Sequence, residues 1–343
     1  MKNLKIICRT PVRINLGNGG DTDYYIEKIG WGCVINATLS SHFYEFIVNN
    51  DNLSKIDIVD YFDYIKNLNR NYILDSNVSE LDLLKTTMRE LNINIPNSFL
   101  VRTNVPMKSG LGGSSALNVA MISALLVYKK NKINPNKVAS KAYTIERERI
   151  NIPGGYQDQY ASAYGRGFNY MEFRKDNIKI TPLKLSEEII KKLEKNILLY
   201  YISEREISGK NLHLIQKGYI EENPNLIKRL LIKKRNNVLK IKKSLISGRL
   251  DKFGELIRID GEIKNKLSGN IDDFSNKIMN LAINNGALGG KLCGAGSGGG
   301  CMYFYVPDEN LNNFRKAMSE IKVKEMNFRF QRHFEPGIQI RMI

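Results

Sequence analysis

A glycine- and serine-rich segment, PMKSGLGGSSA at residues 106–116, carries the strongest chemical signal in the sequence. It lies between a strand-like run and a helix-like run, so its backbone N–H groups and the positive end of the helix converge on one point, which suits a phosphate group. Its three glycines permit positive φ angles and a close approach of a phosphate to the backbone. Ser114 and Ser115 could cap the helix, or they could offer hydroxyl groups to a nucleotide or a metal ion. A capped glycine turn without a ligand is the alternative.

Acidic residues in a second segment, IERERINIPGGYQDQYASAYG at residues 145–165, could do complementary chemistry. Glu146 falls on a predicted helix, and Asp158 follows twelve residues later in a predicted glycine-rich loop. This separation allows one carboxylate to face a metal ion and the other to face a substrate hydroxyl group. Taken singly, Glu146 could be a surface carboxylate and Asp158 a turn residue.

Two glycine-rich matches near the C terminus do not qualify as nucleotide-binding motifs. GGKL at residues 289–292 lacks the GxxxxGK[ST] spacing. Gly294, Gly296 and Gly299 satisfy GxGxxG, but the following CMYFYV is typical of a strand, whereas a dinucleotide fingerprint opens a helix. We interpret this segment as a turn that enters a strand of a second domain.

Predicted strands and helices around these segments indicate how they could be positioned. Val12, Ile14 and Leu16 alternate with polar residues and predict a half-buried strand, and GCVINATLSS and FYEFIVNN predict two more. FLVRTNVP predicts the strand before the 106–116 segment, and apolar residues at helical spacing predict the helix after it. A further predicted helix, KVASKAYTIERERI, carries Glu146 and leads into the loop NIPGGYQDQY.

The second half of the chain has a different pattern. FNYMEF and IKITPL predict a closing hairpin, after which lysine-rich helical patterns dominate from about residue 186 to residue 285. We therefore predict two domains, residues 1–185 and 186–343. The run KRLLIKKRNNVLKIKK at residues 228–243 contains Leu231 and Val238 one heptad apart, with Leu245 a heptad further on, and predicts an amphipathic helix packed on a core. Contact with nucleic acid or a membrane is less favoured, because no aromatic residues alternate with the basic ones.

Composition excludes several classes of protein. The 343 residues are 42% hydrophobic and 25% charged, which is typical of a folded globular protein and not of a disordered or fibrous one. The four cysteines contain no CxxC pair and the three histidines lack zinc-ligand spacing, so we expect neither a disulfide framework nor a zinc site. Without a signal-peptide core or an apolar run of about 18 residues, a cytoplasmic protein is expected. The net charge of +17 would attract phosphates, nucleic acid or an acidic membrane alike.

The sequence resembles the GHMP kinases over nearly its whole length, because three segments occur in the order of that superfamily's three motifs. They are TPVRINLGNGGDTDYY, PMKSGLGGSSALNVA and KLCGAGSGGGCMYF. GGYQDQYASAYGRGFNYMEF is most similar to the branch of sugar-1-kinases that act on D-glycero-D-manno-heptose 7-phosphate. The resemblance implies an α+β fold with an N-terminal ribosomal-protein-S5-like domain and a C-terminal ferredoxin-like α/β domain. It also implies transfer of the γ-phosphoryl group of ATP, with Mg²⁺, to the anomeric C1 hydroxyl group of the phosphorylated sugar.

The resemblance further implies roles for residues at matching positions. Asp158 would accept the hydroxyl proton or orient the hydroxyl group, and Arg13 beside it would keep its carboxylate charged. Ser115 and Glu146 would hold Mg²⁺ between the ATP phosphates. The ATP-binding residues would be Lys108, Ser109, Gly110, Leu111, Gly112, Gly113, Ser114 and Ser115. The sugar-binding residues would be Gly20, Asp21, Thr22, Asp23, Gly155, Gln157, Arg205, Gly294, Ala295 and Gly296.

Several alternatives remain open at this stage. Arg13 and Asp23 are ten residues apart, one more than is usual in the family, so Asp21 is a rival to Asp23 for the sugar contact. The competing functions are another sugar-1-kinase, of the galactose or fucose type, and a sugar- and ATP-sensing protein without turnover. The candidate cations for the 7-phosphate are Arg205, Lys210 and Lys108. Neither a nucleic-acid partner nor a membrane is expected.

Overall fold

Two β-sheets with helices packed against them make up the protein, as seen in a computed structural model. The structure describes residues 5–19, 22–49, 55–59, 70–73, 81–93, 98–152, 154–175, 177–203, 221–268, 273–294 and 299–343. Within these ranges, no helix combines the length and the apolar character that crossing a membrane requires.

Twelve strands are defined in these ranges. They are β1 (Lys5–Gly17), β2 (Trp31–Asn49), β3 (Lys55–Val59), β4 (Arg70–Ile73), β5 (Ser98–Thr103), β6 (Phe168–Arg174), β7 (Asn177–Pro182), β8 (Ile197–Ser203), β9 (Gly289–Leu292), β10 (Gly300–Tyr305), β11 (Lys324–Met326) and β12 (Gln339–Met342). The larger sheet has the order β12-β1-β2-β5-β3-β4, with β6 paired to β2 and β7 paired to β6. The smaller, antiparallel sheet has the order β11-β8-β10-β9.

The described residues also contain ten α-helices. They are α1 (Thr22–Ile29), α2 (Asp82–Glu90), α3 (Gly113–Tyr128), α4 (Pro135–Tyr143), α5 (Gln157–Tyr164), α6 (Glu187–Asn196), α7 (Pro224–Ile246), α8 (Leu250–Ser268), α9 (Asp273–Asn284) and α10 (Leu311–Ser319). Local sequence explains several starts: Asn134 caps α4 with Pro135 at its first position, and Ser186 caps α6. A π-helical turn, Thr144–Arg149, follows α4 directly.

The strand β8 was not predicted from the sequence. Lysine-rich helical patterns were expected to dominate from about residue 186 to residue 285, and β8 lies among these helices as an inner strand of the smaller sheet. Leu198 and Tyr200 pack in one apolar cluster with α9 and α10, whereas Ile197 and Leu199 pack in the main core on the other face. Because both faces are covered, the strand is apolar or aromatic from Ile197 to Ile202 and lacks the alternation that marks a half-buried strand.

The long strand β2 replaces two predicted strands. GCVINATLSS and FYEFIVNN form one continuous strand that pairs with β1 along most of its length. Its first half pairs on the other side with β6 and its second half with β5. The change of neighbour takes place near Leu39, which bridges to Phe330 from the C-terminal part of the chain. Pairing with three other strands therefore makes one continuous strand of the two predicted ones.

The amphipathic helix predicted from the basic run is confirmed as α7, because Leu231, Val238 and Leu245 are all buried. The division of the chain near residue 185 stays a prediction. One strand does not follow it: β12 pairs with β1 in the larger sheet, although it lies at the C terminus.

Candidate active site

Arg13 and Asp158 form a two-pronged ion pair next to the glycine-rich segment. Arg13 Nε lies 2.8 Å from Oδ1 of Asp158, and Arg13 Nη2 lies 2.8 Å from Oδ2. The arginine side chain is only 3% exposed, whereas the aspartate side chain is 23% exposed. A bidentate pair of this kind fixes the carboxylate in one orientation. The exposed part of the carboxylate remains accessible to a substrate hydroxyl group.

Asp158 lies in the first turn of α5, and not in a loop as the sequence predicted. The preceding residues 154–156 form the turn, and the helix begins one residue before the carboxylate. The N-terminal end of a helix is a favourable place for an acidic side chain. The buried Gln157 also donates a hydrogen bond of 3.1 Å from its Nε2 to Oδ1 of Asp158.

The glycine-rich segment contacts this ion pair directly. Gly110 and Gly112 have φ angles of 80° and 82°, which explains the need for glycine there. Arg13 Nη1 donates a 2.7 Å hydrogen bond to the carbonyl oxygen of Gly110. A Cβ atom placed on Gly112 would lie 3.4 Å from Cζ of Arg13 and 3.5 Å from Cγ of Asp158. A phosphate bound at this segment would therefore lie beside the Asp158 carboxylate.

A second glycine-rich turn, from the smaller sheet, packs against the same segment. A Cβ atom on Gly294 would lie 2.7 Å from Cα of Gly110, so the two backbones touch. The N–H group of Cys301 donates a 2.8 Å hydrogen bond to the carbonyl oxygen of Ser109. The predicted strand after the third motif is confirmed, because β10 begins at Gly300. The first, second and third sequence motifs thus meet at Gly110.

Glu146 and Ser115 form a second polar centre. Oε2 of Glu146 accepts hydrogen bonds from Oγ of Ser115 at 2.8 Å and from Nε2 of Gln159 at 2.9 Å. Its Oε1 accepts from Nδ2 of Asn118 at 3.1 Å. Glu146 lies in the π-helical turn, where the N–H group of Ile150 donates to the carbonyl oxygen of Ile145. Such turns are frequent at functional sites, and this one carries a buried carboxylate to the start of α3.

The surroundings of Glu146 suit a bound cation. Burial raises the pKa of its carboxyl group, although the nearby Arg147 and the hydrogen bonds from Ser115 and Asn118 lower it in part. A hydroxyl oxygen and a carboxylate oxygen are hard donors of the kind that Mg²⁺ accepts together with substrate phosphates. No cluster of three His, Cys, Asp or Glu residues occurs in the described parts of the chain, so a cage made wholly of protein ligands is absent there. The donor set therefore fits a magnesium ion shared with a phosphate.

The start of α1 packs against the turn before Asp158. The N–H group of Tyr156 donates a 2.9 Å hydrogen bond to Oγ1 of Thr22. A Cβ atom on Gly155 would lie 2.1 Å from the same oxygen, so no larger residue fits there. Tyr143 stacks on Tyr156 and donates a 3.1 Å hydrogen bond to Oδ2 of Asp23. Thr22 and Asp23 thus lie near the N-terminal end of the helix that carries Asp158.

The remaining predicted residues divide into two groups. In the glycine-rich segment, Lys108 and Ser114 are exposed, whereas the Leu111 side chain is fully buried and offers only its backbone. A Cβ atom on Gly113 would meet the hydroxyl group of Tyr44 at 2.7 Å. Outside the described residues lie Gly20, Asp21, Arg205, Lys210, Ala295 and Gly296. The choice between Asp21 and Asp23, and the role of Arg205, therefore stay predictions.

Sequence reasoning missed three residues of this site. Asn118 and Gln159 both donate to Glu146, and Tyr143 donates to Asp23. Asn118 could have been found from the sequence, because it is a polar residue in the mostly apolar run ALNVAMISALL and follows Ser115 at helical spacing. Nothing in the sequence indicates the roles of Gln159 and Tyr143, since their partners are distant in sequence.

Comparisons with known proteins agree with this arrangement. The GHMP kinases N terminal domain matches residues 71–166, and the GHMP kinases C terminal domain matches residues 241–324. The chain is 34% identical to the D-glycero-alpha-D-manno-heptose 7-phosphate kinase of Campylobacter jejuni subsp. jejuni serotype O:2, over 96% of this chain and 97% of the relative.

Solved structures show the same fold. A D-glycero-D-manno-heptose 1-phosphate kinase from Bacteroides thetaiotaomicron superposes with a TM-score of 0.74 and 24% identity, over 98% of this chain and 99% of that one. Galactokinase from Lactococcus lactis, in complex with galactose, gives a TM-score of 0.74 at 18% identity, over 98% and 95% of the two chains. The α+β fold of two domains implied by the resemblance is therefore confirmed.

Proposed function

Because the chain belongs to the GHMP kinase family, we propose that it transfers the γ-phosphoryl group of ATP to the anomeric C1 hydroxyl group of D-glycero-D-manno-heptose 7-phosphate. The product is the 1,7-bisphosphate, a precursor of nucleotide-activated heptose for surface polysaccharide. The Campylobacter jejuni relative named for this substrate supports the choice of sugar, since the two chains align over nearly their full lengths.

One structural observation carries the proposal: the glycine-rich segment touches the Arg13–Asp158 pair. The carbonyl oxygen of Gly110 accepts a hydrogen bond from Arg13, and a Cβ atom placed on Gly112 would lie 3.5 Å from Cγ of Asp158. Phosphoryl transfer requires the terminal phosphate and the attacking hydroxyl group to meet at one point, and positioning supplies much of the acceleration.

Asp158 is suited to accept the proton of the attacking hydroxyl group. As the C1 oxygen forms its bond to the γ-phosphorus, the bond from that phosphorus to the ADP oxygen breaks, and the hydroxyl proton passes to the carboxylate. Arg13 occupies one lone pair on each carboxylate oxygen and Gln157 a second one on Oδ1, so Oδ2 keeps a lone pair for the substrate. An anomeric hydroxyl group is more acidic than an ordinary sugar alcohol, so a weakly basic carboxylate suffices.

Ser115 and Glu146 are the residues that fit Mg²⁺, whose charge, when it is bound, offsets that of the ATP phosphates. Asn118 and Gln159 hold the Glu146 carboxylate in place through their amide groups. The backbone of residues 109–115 presents its N–H groups at the start of α3, where a phosphate is favoured.

An ADP-release assay across free and phosphorylated hexoses and heptoses tests the substrate. We expect the highest kcat/KM with D-glycero-D-manno-heptose 7-phosphate, and a product that carries a second phosphate on C1. Highest activity with galactose, fucose or mevalonate would replace the proposed substrate with another from the same family. No ADP release with any of these acceptors, although ATP binds, would favour the sensor alternative.

Asp158→Asn tests the catalytic assignment. Because the amide cannot take the proton, we expect kcat to fall by about 10²–10⁴-fold, while ATP binding is retained. Glu148→Gln, an exposed position in the neighbouring π-helical turn, is the matched control and should keep normal turnover. Near-normal kcat in Asp158→Asn would remove this residue from the mechanism.

A further inference from the structure

A buried group of charges lies outside the site described above. Lys291 forms an ion pair with Asp260 and donates a 2.5 Å hydrogen bond to the carbonyl oxygen of Asn18. The N–H group of Asn18 donates to the other Asp260 oxygen at 3.0 Å. Two further lysines, Lys234 of α7 and Lys264 of α8, act electrostatically on Asp260. We call Lys234, Lys264, Lys291 and Asp260 the lysine cluster.

The lysine cluster contains more positive than negative charge. All four residues are 6% exposed or less, and the cluster consists of three lysines and one carboxylate. Burial lowers the pKa of Lys234 to about 8 although Asp260 raises it, and burial also lowers the pKa of Lys264. Burying more charge of one sign than of the other costs several kcal/mol, so a cluster of this composition favours a compensating anion.

Lys234 faces the end of β1. On the same side of α7, Val238 lies one turn later and lines Gly17, where a Cβ atom would meet its Cγ2 at 3.6 Å. Leu231, almost one turn earlier, packs in a cluster with Tyr25 of α1. Residues three and four apart on a helix share a face, so Lys234 lies between these two contacts, against the region where β1 gives way to α1.

The lysine cluster also adjoins the candidate active site. Lys264 Nζ donates hydrogen bonds to the carbonyl oxygens of Leu292 at 3.0 Å and Gly294 at 2.6 Å, and Gly294 touches the glycine-rich segment. Asn18 precedes Thr22 by four residues, so at most about 14 Å of chain separates it from the residue that packs at the turn before Asp158. The lysine cluster therefore borders the candidate active site on the side of the Gly294 turn and the start of α1.

We propose that Lys234 and Lys264 bind the phosphate ester group of the acceptor sugar. This inference rests on the proposed function and assigns the end of the substrate that does not react. A phosphate dianion offsets the surplus charge of the lysine cluster, and lysine binds phosphate as a compact point charge. Asp260 and Lys291 position the cluster by holding Asn18. The earlier candidates Arg205 and Lys210 lie outside the described residues and stay predictions.

Lys234→Met tests the proposal, with Lys243→Met as the matched control because Lys243 is an exposed lysine on the same helix. Binding of D-glycero-D-manno-heptose 7-phosphate, of the free heptose and of ATP is measured by calorimetry. We expect Lys234→Met to weaken binding of the phosphorylated heptose by about 10- to 100-fold and to leave the free heptose and ATP unchanged. Lys243→Met should match the wild type for all three.

Thermal unfolding without ligand separates binding from a structural role. Removing a buried ammonium group from a cluster that has more lysines than carboxylates should leave the midpoint of Lys234→Met equal to or above that of the wild type, whereas loss of a structural ion pair would lower it. Saturating heptose 7-phosphate should then raise the midpoint of the wild type more than that of the variant.

The possible failures are distinguishable. Equal loss of affinity for the free and phosphorylated heptose, or no loss for either, would overturn the role of Lys234 in binding phosphate. A wild type that favours the free heptose would overturn it as well and leave a sugar kinase. A wild type that binds heptose 7-phosphate through Lys234 but releases no ADP would support this inference and overturn the proposed function.

Discussion

Glu146 and Asp260 are two carboxylates of nearly equal burial in opposite electrostatic situations. Glu146 is 1% exposed and Asp260 is not exposed at all. Burial raises the pKa of Glu146, and its neighbours do not compensate for this. Burial would also raise the pKa of Asp260, but Lys291 and Lys234 lower it below its ordinary value.

The difference shows what each region lacks. Around Glu146, three of the four nearby donors are neutral, so a bound cation would compensate the charge of the carboxylate. Around Asp260, lysines outnumber carboxylates, so a bound anion would compensate the charge of that region. The two ends of the reaction proposed here, a nucleotide with its metal ion and a phosphorylated acceptor, carry these complementary charges.

The largest expected effect follows from Asp260→Asn. This change leaves the buried ammonium groups of the lysine cluster without their carboxylate, and breaking a buried ion pair by removing one partner costs about 3–5 kcal/mol. We expect the free energy of unfolding, measured with urea, to fall by that amount. Glu262→Gln, an exposed carboxylate on the same helix, is the control and should change it by less than about 0.5 kcal/mol.

A double variant sharpens this prediction. In Asp260→Asn/Lys291→Met one surplus ammonium group is removed as well, so part of the lost stability should return. If Asp260→Asn were as stable as Glu262→Gln, the lysine cluster would not carry the charge surplus inferred for it. The electrostatic contrast between Asp260 and Glu146 would then be contradicted.

The second prediction is that Glu146 and Asp260 change the stability of the fold with pH in opposite directions. The folded protein holds the Glu146 proton more tightly than the unfolded chain does, so this group lowers stability as the pH rises from its ordinary pKa of 4.5 through the raised folded value. Asp260 does the reverse: its contribution is complete above the ordinary pKa of 3.8 and is lost as the pH falls towards the lowered folded value.

Glu146→Gln tests the first of these slopes in the absence of metal and nucleotide. Unfolding free energies from pH 4 upwards should fall less steeply in this variant than in the wild type, and at neutral pH the two should differ by less than about 2 kcal/mol. Turnover should nevertheless fall by more than about 100-fold, because the residue that fits Mg²⁺ has lost its charge. Identical pH slopes, or turnover close to that of the wild type, would contradict the prediction.

The sequence predicts those parts of the molecule that depend on neighbouring residues. The glycine-rich segment, the helix after it and the strand after the third motif follow from local spacing, and the structure has all three. Asp158 was misplaced in a loop because GGYQDQY contains strong turn residues, whereas the helix starts inside that run and is stabilised by packing against α4. Tertiary packing therefore determined where the helix that carries Asp158 begins.

The lysine cluster could not be predicted at all. Lys234 belongs to a run of basic residues that favours a solvated helix face, and its neighbours Lys233 and Lys240 are indeed exposed. Only the approach of β1 and α8 buries that one position. The partners Asp260 and Lys291 lie 26 and 57 residues away, and no local spacing relates them.

The smallest expected effect concerns Asn118, which donates to Glu146 and to the carbonyl oxygen of Ala142. Asn118→Ala removes a neutral donor from the Glu146 carboxylate, which should cost about 1–3 kcal/mol of stability in the unliganded protein. Because a bound cation compensates the same carboxylate, saturating MgATP should recover part of this loss.

Ser123→Ala, which removes a buried hydroxyl group from the same helix away from the site, should show no such recovery. Equal losses with and without MgATP would mean that Asn118 supports the helix packing and not the carboxylate. The recovery therefore measures how far the Glu146 region depends on a cation that its own residues do not supply.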